Sequence, residues 1–116
     1  MTNEQHVENM TLAPGVVDTI ISIAASEQDG VASIGTPAGG FFARIFNRPT
    51  TSGIQTRYDA DGRIEVVLHI VAECGHVLPK LADDLRQAVA DALLVQAGVE
   101  VASIDVFVDG IQFGEN

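Results

Sequence analysis

The chain has few of the residues that announce chemistry. Cys74 is its one cysteine, which excludes an internal disulfide and removes any disulfide framework that would argue for secretion. Lys and Arg together number 6 against 16 Asp and Glu, for a formal net charge of −10. A surface of that average sign repels phosphate backbones and anionic headgroups, so nucleic acid is not an expected partner. No run approaches the roughly 18 apolar residues that a membrane-spanning helix requires. Residues 1–10 are polar and acidic where a secretory leader is basic and then apolar, so the chain reads as a cytoplasmic protein.

What is abundant is core-forming material. Hydrophobic residues make up 47% of 116 positions, enough for one domain that buries roughly two thirds of its unfolded surface. Residues 64–73 alternate, with Ile64, Val66, Leu68, Ile70 and Ala72 on one side of a pleat. From 77 to 97 the period changes: Leu78, Leu81, Leu85, Val89 and Leu93 recur at three- and four-residue steps, with Lys80, Asp83, Asp84 and Arg86 left for water. Pro79 suits the first helical turn and Gly98 a left-handed stop. From Val99 the period returns to two, with Ala102, Ile104, Val106 and Val108 on one side and Val101, Ser103, Asp105, Phe107 and Asp109 on the other.

Upstream, residues 1–8 read as a flexible, solvated tail and 9–12 as a short edge strand. Val16, Val17, Ile20, Ile21 and Ala24 mark a first helix over about 15–28, opened near Pro14 and closed at Asp29-Gly30. Val31-Ala32-Ser33-Ile34 recurs as residues 101–104, each time after a helix and a Gly, which predicts two helix-to-strand units of like geometry. Asp59-Ala60-Asp61-Gly62 marks a turn closing a hairpin over 53–73. The reading is a two-layer α+β domain over residues 9–113. It has a small, mainly antiparallel sheet (hairpin 53–73 plus strand 99–109), with helices 15–28 and 78–97 on one face and a long loop over 35–53.

Candidate chemistry is sparse. Cys74-Gly75-His76 places a thiol near a base, but one Cys and three His without fixed ligand spacing read as a strand end and turn with a half-buried thiol. His69, between Val67 and Val71, reads as packed or hydrogen-bonded. Asp59-Ala60-Asp61-Gly62 starts like a calcium loop, yet the sixth and twelfth positions are Ile64 and Ile70 where Gly and Glu are needed. Gly35, Gly39 and Gly40 lack the Lys-Ser/Thr of a phosphate loop. No catalytic, cofactor or metal site is predicted.

Two features point to contact surfaces. Residues 30–58 contain no Asp or Glu, and Arg44, Arg48 and Arg57 give that window +3 in a chain of −10. Within it Phe41, Phe42 and Phe46 are spaced to share one face of a helical turn or two, so Phe41, Phe42, Arg44 and Phe46 are candidate partner-binding residues. The second feature is the sheet face away from the helices, where Val67, Val71, Val101 and Phe107 alternate with Glu65, His69, Glu73, Ser103 and Asp105. An open antiparallel face is ordinarily more uniformly polar, which makes Val67, Val71 and Phe107 candidates for association.

The order and spacing of several blocks resemble the alkaline shock protein family, bacterial proteins linked to cell-envelope stress. The blocks are Val16-Val17-Asp18-Thr19-Ile20, Ala24-Ala25, Asp29-Gly30-Val31, Gly53-Ile54, Glu73-Cys74-Gly75, Val77-Leu78-Pro79, Gly98-Val99-Glu100-Val101, and Ile104 through Ile111, within residues 9–113. The chain departs from the family where Cys74 stands in place of a typical Tyr, and in having few Lys around the loop and hairpin. The resemblance implies a non-enzymatic, self-associating cytoplasmic protein without cofactor, forming a homo-oligomer and, in some members, held at the membrane by a small integral-membrane partner. Two other readings make distinct predictions. A small-molecule or metal-sensing module with a ferredoxin-like fold predicts a closed pocket near His69, and an enzyme predicts cooperation of Cys74 with His76.

Overall fold

The computed structural model describes residues 5–7, 10–35 and 53–113. In chain order these form β1 (Gln5–Val7), β2 (Met10–Leu12), α1 (Pro14–Ser26), β3 (Val31–Ile34), β4 (Ile54–Tyr58), β5 (Ile64–Glu73), α2 (Leu78–Ala97) and β6 (Val101–Gln112). β1 and β2 pair as a separate two-stranded sheet, so residues 5–7 of the stretch read as a tail are in a strand. The Phe41, Phe42, Arg44 and Phe46 candidates lie outside the described residues.

Everything else is built on β5. Its alternation places Ile64, Val66, Leu68, Ile70 and Ala72, all at most 1% exposed, under the two helices. There they meet Val17, Ile21 and Ala25 of α1 and Leu81, Leu85, Val89 and Leu93 of α2. Each fully buried Val, Leu or Ile side chain among them contributes about 1.5–3 kcal/mol by leaving water. No buried residue of the described set is polar or charged, which marks this side as a dry core.

The helices end as their sequences dictate. Pro79 stands in the first turn of α2, and Gly98 closes it at φ 69°, where a side chain is disfavoured. The Gly98 N–H donates to Leu94 O at 3.0 Å and the Val99 N–H to Leu93 O at 3.1 Å, which satisfies carbonyls the helix leaves open. α1 stops at Ser26, two residues short of the expected end, because residues 27–30 turn into β3 through the Val31 N–H to Gln28 O bond.

On one edge β5 pairs antiparallel with β4 (Tyr58 opposite Ile64 to Ile54 opposite Leu68) and then with β3 (Ile34 opposite Ile70 to Val31 opposite Ala72). The two short strands are collinear, and they meet at His69: its carbonyl accepts from the Gly35 N–H at 2.9 Å, and its N–H donates to Gly53 O at 2.8 Å. A Cβ on Gly53 would lie 2.6 Å from the Gly35 backbone nitrogen, so glycine is what allows this close approach. Gly35 and Gly53 therefore meet on a single edge at one point. The turn from β4 to β5 is held as expected, with the Asp59 carboxylate accepting from the backbone N–H of Asp61 and Arg63, and Gly62 at φ 83°.

On the other edge β6 pairs with β5 in parallel. A 20-residue helix spans about 30 Å, close to the length of the ten-residue β5, so α2 returns the chain to the start of β5. Two of the three ladders are antiparallel, and the longest is the parallel one. The repeated Val-Ala-Ser-Ile segments therefore do not have like geometry, since one runs against β5 and the other along it. β6 also runs further than the expected strand over 99–109, starting at Val101 and passing through Gly110 to Gln112. A register shift beside Ile64 turns Val101 toward the core, so it does not belong to the open face as its spacing had implied.

Candidate contact surface

The face of β5 and β6 that the helices do not cover has a composed centre. His69 and Phe107 are directly paired across the parallel ladder, and their rings stack at 4.9 Å with planes 14° apart. His69 Nδ1 donates to Asp109 Oδ2 at 2.8 Å, an ionised carboxylate being able only to accept. The imidazole is thus fixed between an aromatic face and a carboxylate, which confirms the expectation of a packed, hydrogen-bonded histidine. Phe107 remains 49% exposed on top of this support. Val67 is half-buried beside it, opposite Asp105 in register.

Val71 shares the register of this face but is only 4% exposed, so it offers a partner little area. It pairs with Gly110 next to a second register shift, where β6 skips one residue. At the other end Arg57 reaches across to Glu65, Nη2 to Oε1 at 2.6 Å, and this bond raises the already high pKa of the guanidinium. Gln55, Thr56, Arg57, Glu65 and Val67 line a shallow hollow of about 350 Å³ that does not include His69.

The Cys74–His76 corner lies apart. Cys74 is exposed where a half-buried thiol was expected, because its segment turns away from the sheet after the Cys74 N–H bonds Gln112 O at 2.9 Å. The His76 ring packs over Gly30, whose φ of 102° and lack of a side chain make room for it. Its Nε2 stands 3.7 Å from Glu73. Among the described residues no group of three or more His, Cys, Asp and Glu is placed to hold a metal ion, and no helix is long and apolar enough to cross a membrane.

A second electrostatic feature sits at the rim of the core. Burial raises the Asp18 carboxyl above its ordinary value. The Tyr58 hydroxyl is raised first by burial and then by the charge of Asp18. Neither shift was legible in the sequence, since α1 and β4 are separated by residues 27–53.

The fold is that of a small α+β module with one sheet face sealed by helices and the other, among the described residues, left open and bearing an aromatic, histidine and carboxylate cluster. The chain belongs to the alkaline shock protein 23 family, described as having cell envelope-related function, whose model matches residues 2–113. Among its relatives is the uncharacterized protein YqhY of Bacillus subtilis, 31% identical over 111 residues, covering 95% of this chain and 82% of the relative. The uncharacterized protein Spy1535 of Streptococcus pyogenes serotype M6 is 23% identical over 112 residues, covering 96% of this chain and 84% of the relative. No solved structure matches the chain significantly.

Proposed function

We propose that this protein is a non-enzymatic, scaffold-like component of cell-envelope stress homeostasis, acting in the cytoplasm by self-association and by binding a membrane-tethered partner. The observation that carries this reading is the open sheet face, where Phe107 stands half exposed on the His69 ring between Asp105 and Asp109. Exposed aromatic area ringed by charge is the composition of association surfaces. Family membership supplies the envelope context. Phe41, Phe42, Arg44 and Phe46 are proposed partner-binding residues, shared between a neighbouring subunit and the membrane-tethered partner, on the strength of an acid-free, Phe-rich sequence.

The test is sedimentation of the full chain over a concentration series, together with its Phe107→Glu variant. The reading predicts a concentration-dependent assembly that the variant loses while melting at nearly the same temperature. A chain that stays monomeric throughout would overturn the self-association half. Crosslinking from cells tests the other half: an integral-membrane protein should be recovered with the wild-type chain and lost when Phe41, Phe42 and Phe46 are all changed to Ser. Equal recovery from both would remove the proposed contacts.

A further inference from the structure

The outer edge of β6 poses a question of its own. Among the described residues β6 pairs on one side only, with β5, and it is twelve residues long. A long edge strand exposes a row of backbone donors and acceptors that invites another strand. On the open face this edge carries Asp105, Phe107 and Asp109 at two-residue spacing, both carboxylates in exposed residues and Phe107 held by His69. Two such edges meeting antiparallel about Phe107 would set Asp105 against Asp109, and like charges directly opposite are destabilising. The edge therefore disfavours its own image in that register and calls for a strand with cations flanking an aromatic.

The sequence contains one. Arg44, Phe46 and Arg48 repeat the same two-residue spacing with the charge reversed, inside a window without Asp or Glu. With Phe46 opposite Phe107, the two arginines fall opposite the two aspartates whether the strands run parallel or antiparallel. The charge match is thus independent of strand direction. We propose that residues 44–48 of one copy add as a strand to the outer edge of β6 in a second copy, with Phe46 against Phe107 and Arg44 and Arg48 against Asp105 and Asp109. This rests on the self-association proposed above and names its contact.

The length of chain favours a second copy over the same one. Gly53 rejoins the sheet on the far edge of β5, opposite His69, so an added strand beyond β6 lies three strand spacings away, roughly 14 Å. Residues 49–52 give five Cα steps from Arg48 to Gly53, at most about 17 Å fully extended. That path must also climb over the His69 and Phe107 rings, so reaching its own edge demands a taut chain, while a neighbour's edge demands none. The contact joins different surfaces on the two copies, so it is heterologous and generates chains or closed rings.

Charge exchange in the full chain tests this. R44E/R48E and D105R/D109R should each weaken assembly by about tenfold or more in sedimentation velocity. Mixed in equal amounts the two variants should assemble again, since each then offers the charge the other needs. D105R alone leaves the His69–Asp109 bond in place and should weaken assembly with an unchanged melting temperature, which separates loss of contact from loss of fold. Wild-type assembly that both double variants retain, or a mixture that stays dissociated, would overturn the contact while leaving self-association standing. Assembly absent from the wild type would remove both.

Discussion

The two faces of β5 are made from alternate residues of one ten-residue strand, yet they obey different rules. On the helix side Ile64, Val66, Leu68 and Ile70 are at most 1% exposed, and among the described residues nothing polar is buried with them. On the other side Glu65, Val67 and His69 are half-buried, and the nearest large apolar group, Phe107, is half in water. Under the proposed function, the difference separates stability from contact. The first face holds the domain together through area removed from water, and the second presents groups already positioned, His69 by its bond to Asp109 and Phe107 by stacking on His69. A partner meeting that second face has little side-chain freedom left to freeze.

Substitutions at neighbouring positions of β5 should expose this division most plainly. Leu68→Ala opens a cavity beneath both helices and should cost about 2–5 kcal/mol in denaturant unfolding. Val67→Ala, one residue away, should cost about 1 kcal/mol or less. Equal losses would mean that both faces are core. A smaller effect is expected where the edge strands meet. Gly53→Ala brings a Cβ within 3 Å of Gly35 backbone atoms and the His69 carbonyl, which should destabilise by about 1–3 kcal/mol. Unchanged stability would show that β3 and β4 do not converge on His69.

Phe107→Glu sharpens the comparison from the open side. Its fold cost should stay within about 1 kcal/mol by thermal melting, because half of the ring is already hydrated. The smallest effect belongs to the rim. Burial raises the Asp18 carboxyl, so the folded chain holds this proton more tightly than the unfolded one. Ionising it costs stability above the raised value, and that penalty vanishes as pH falls below the ordinary carboxylate range. Asp18→Asn should therefore raise the melting temperature slightly at neutral pH, with the gain fading in acid. It should also bring the Tyr58 hydroxyl part of the way back down in an ultraviolet titration, burial remaining. A Tyr58 titration that does not move would separate the two groups.

Much of this was legible in local patterns. The alternation of β5, the apolar stripe of α2 between Pro79 and Gly98, and the Asp59 turn are each written within a few residues. The layer of helices over one sheet face follows from them. What could not be read depends on long-range pairing. The union of β3 and β4 at His69 joins residues on either side of 36–52. The His69, Phe107 and Asp109 cluster needs the register of two strands separated by α2, and Val101 faces inward because of a register shift that no alternation reports. The parallel sense of β6 did have a signal, the strand-helix-strand order with a helix as long as its strand. The candidates at Phe41, Phe42, Arg44 and Phe46 rest on sequence alone, while the open-face candidates divide: Phe107 is presented, Val67 half-buried and Val71 covered.

The claim that one face holds the fold and the other makes contacts is tested most directly by amide hydrogen exchange on the full chain at low and high protein concentration. Peptides from β6, residues 101–112, should gain protection as concentration rises, while those from α1 and α2 exchange alike at both. Protection gained in the helices, or by no segment of the chain, would contradict it.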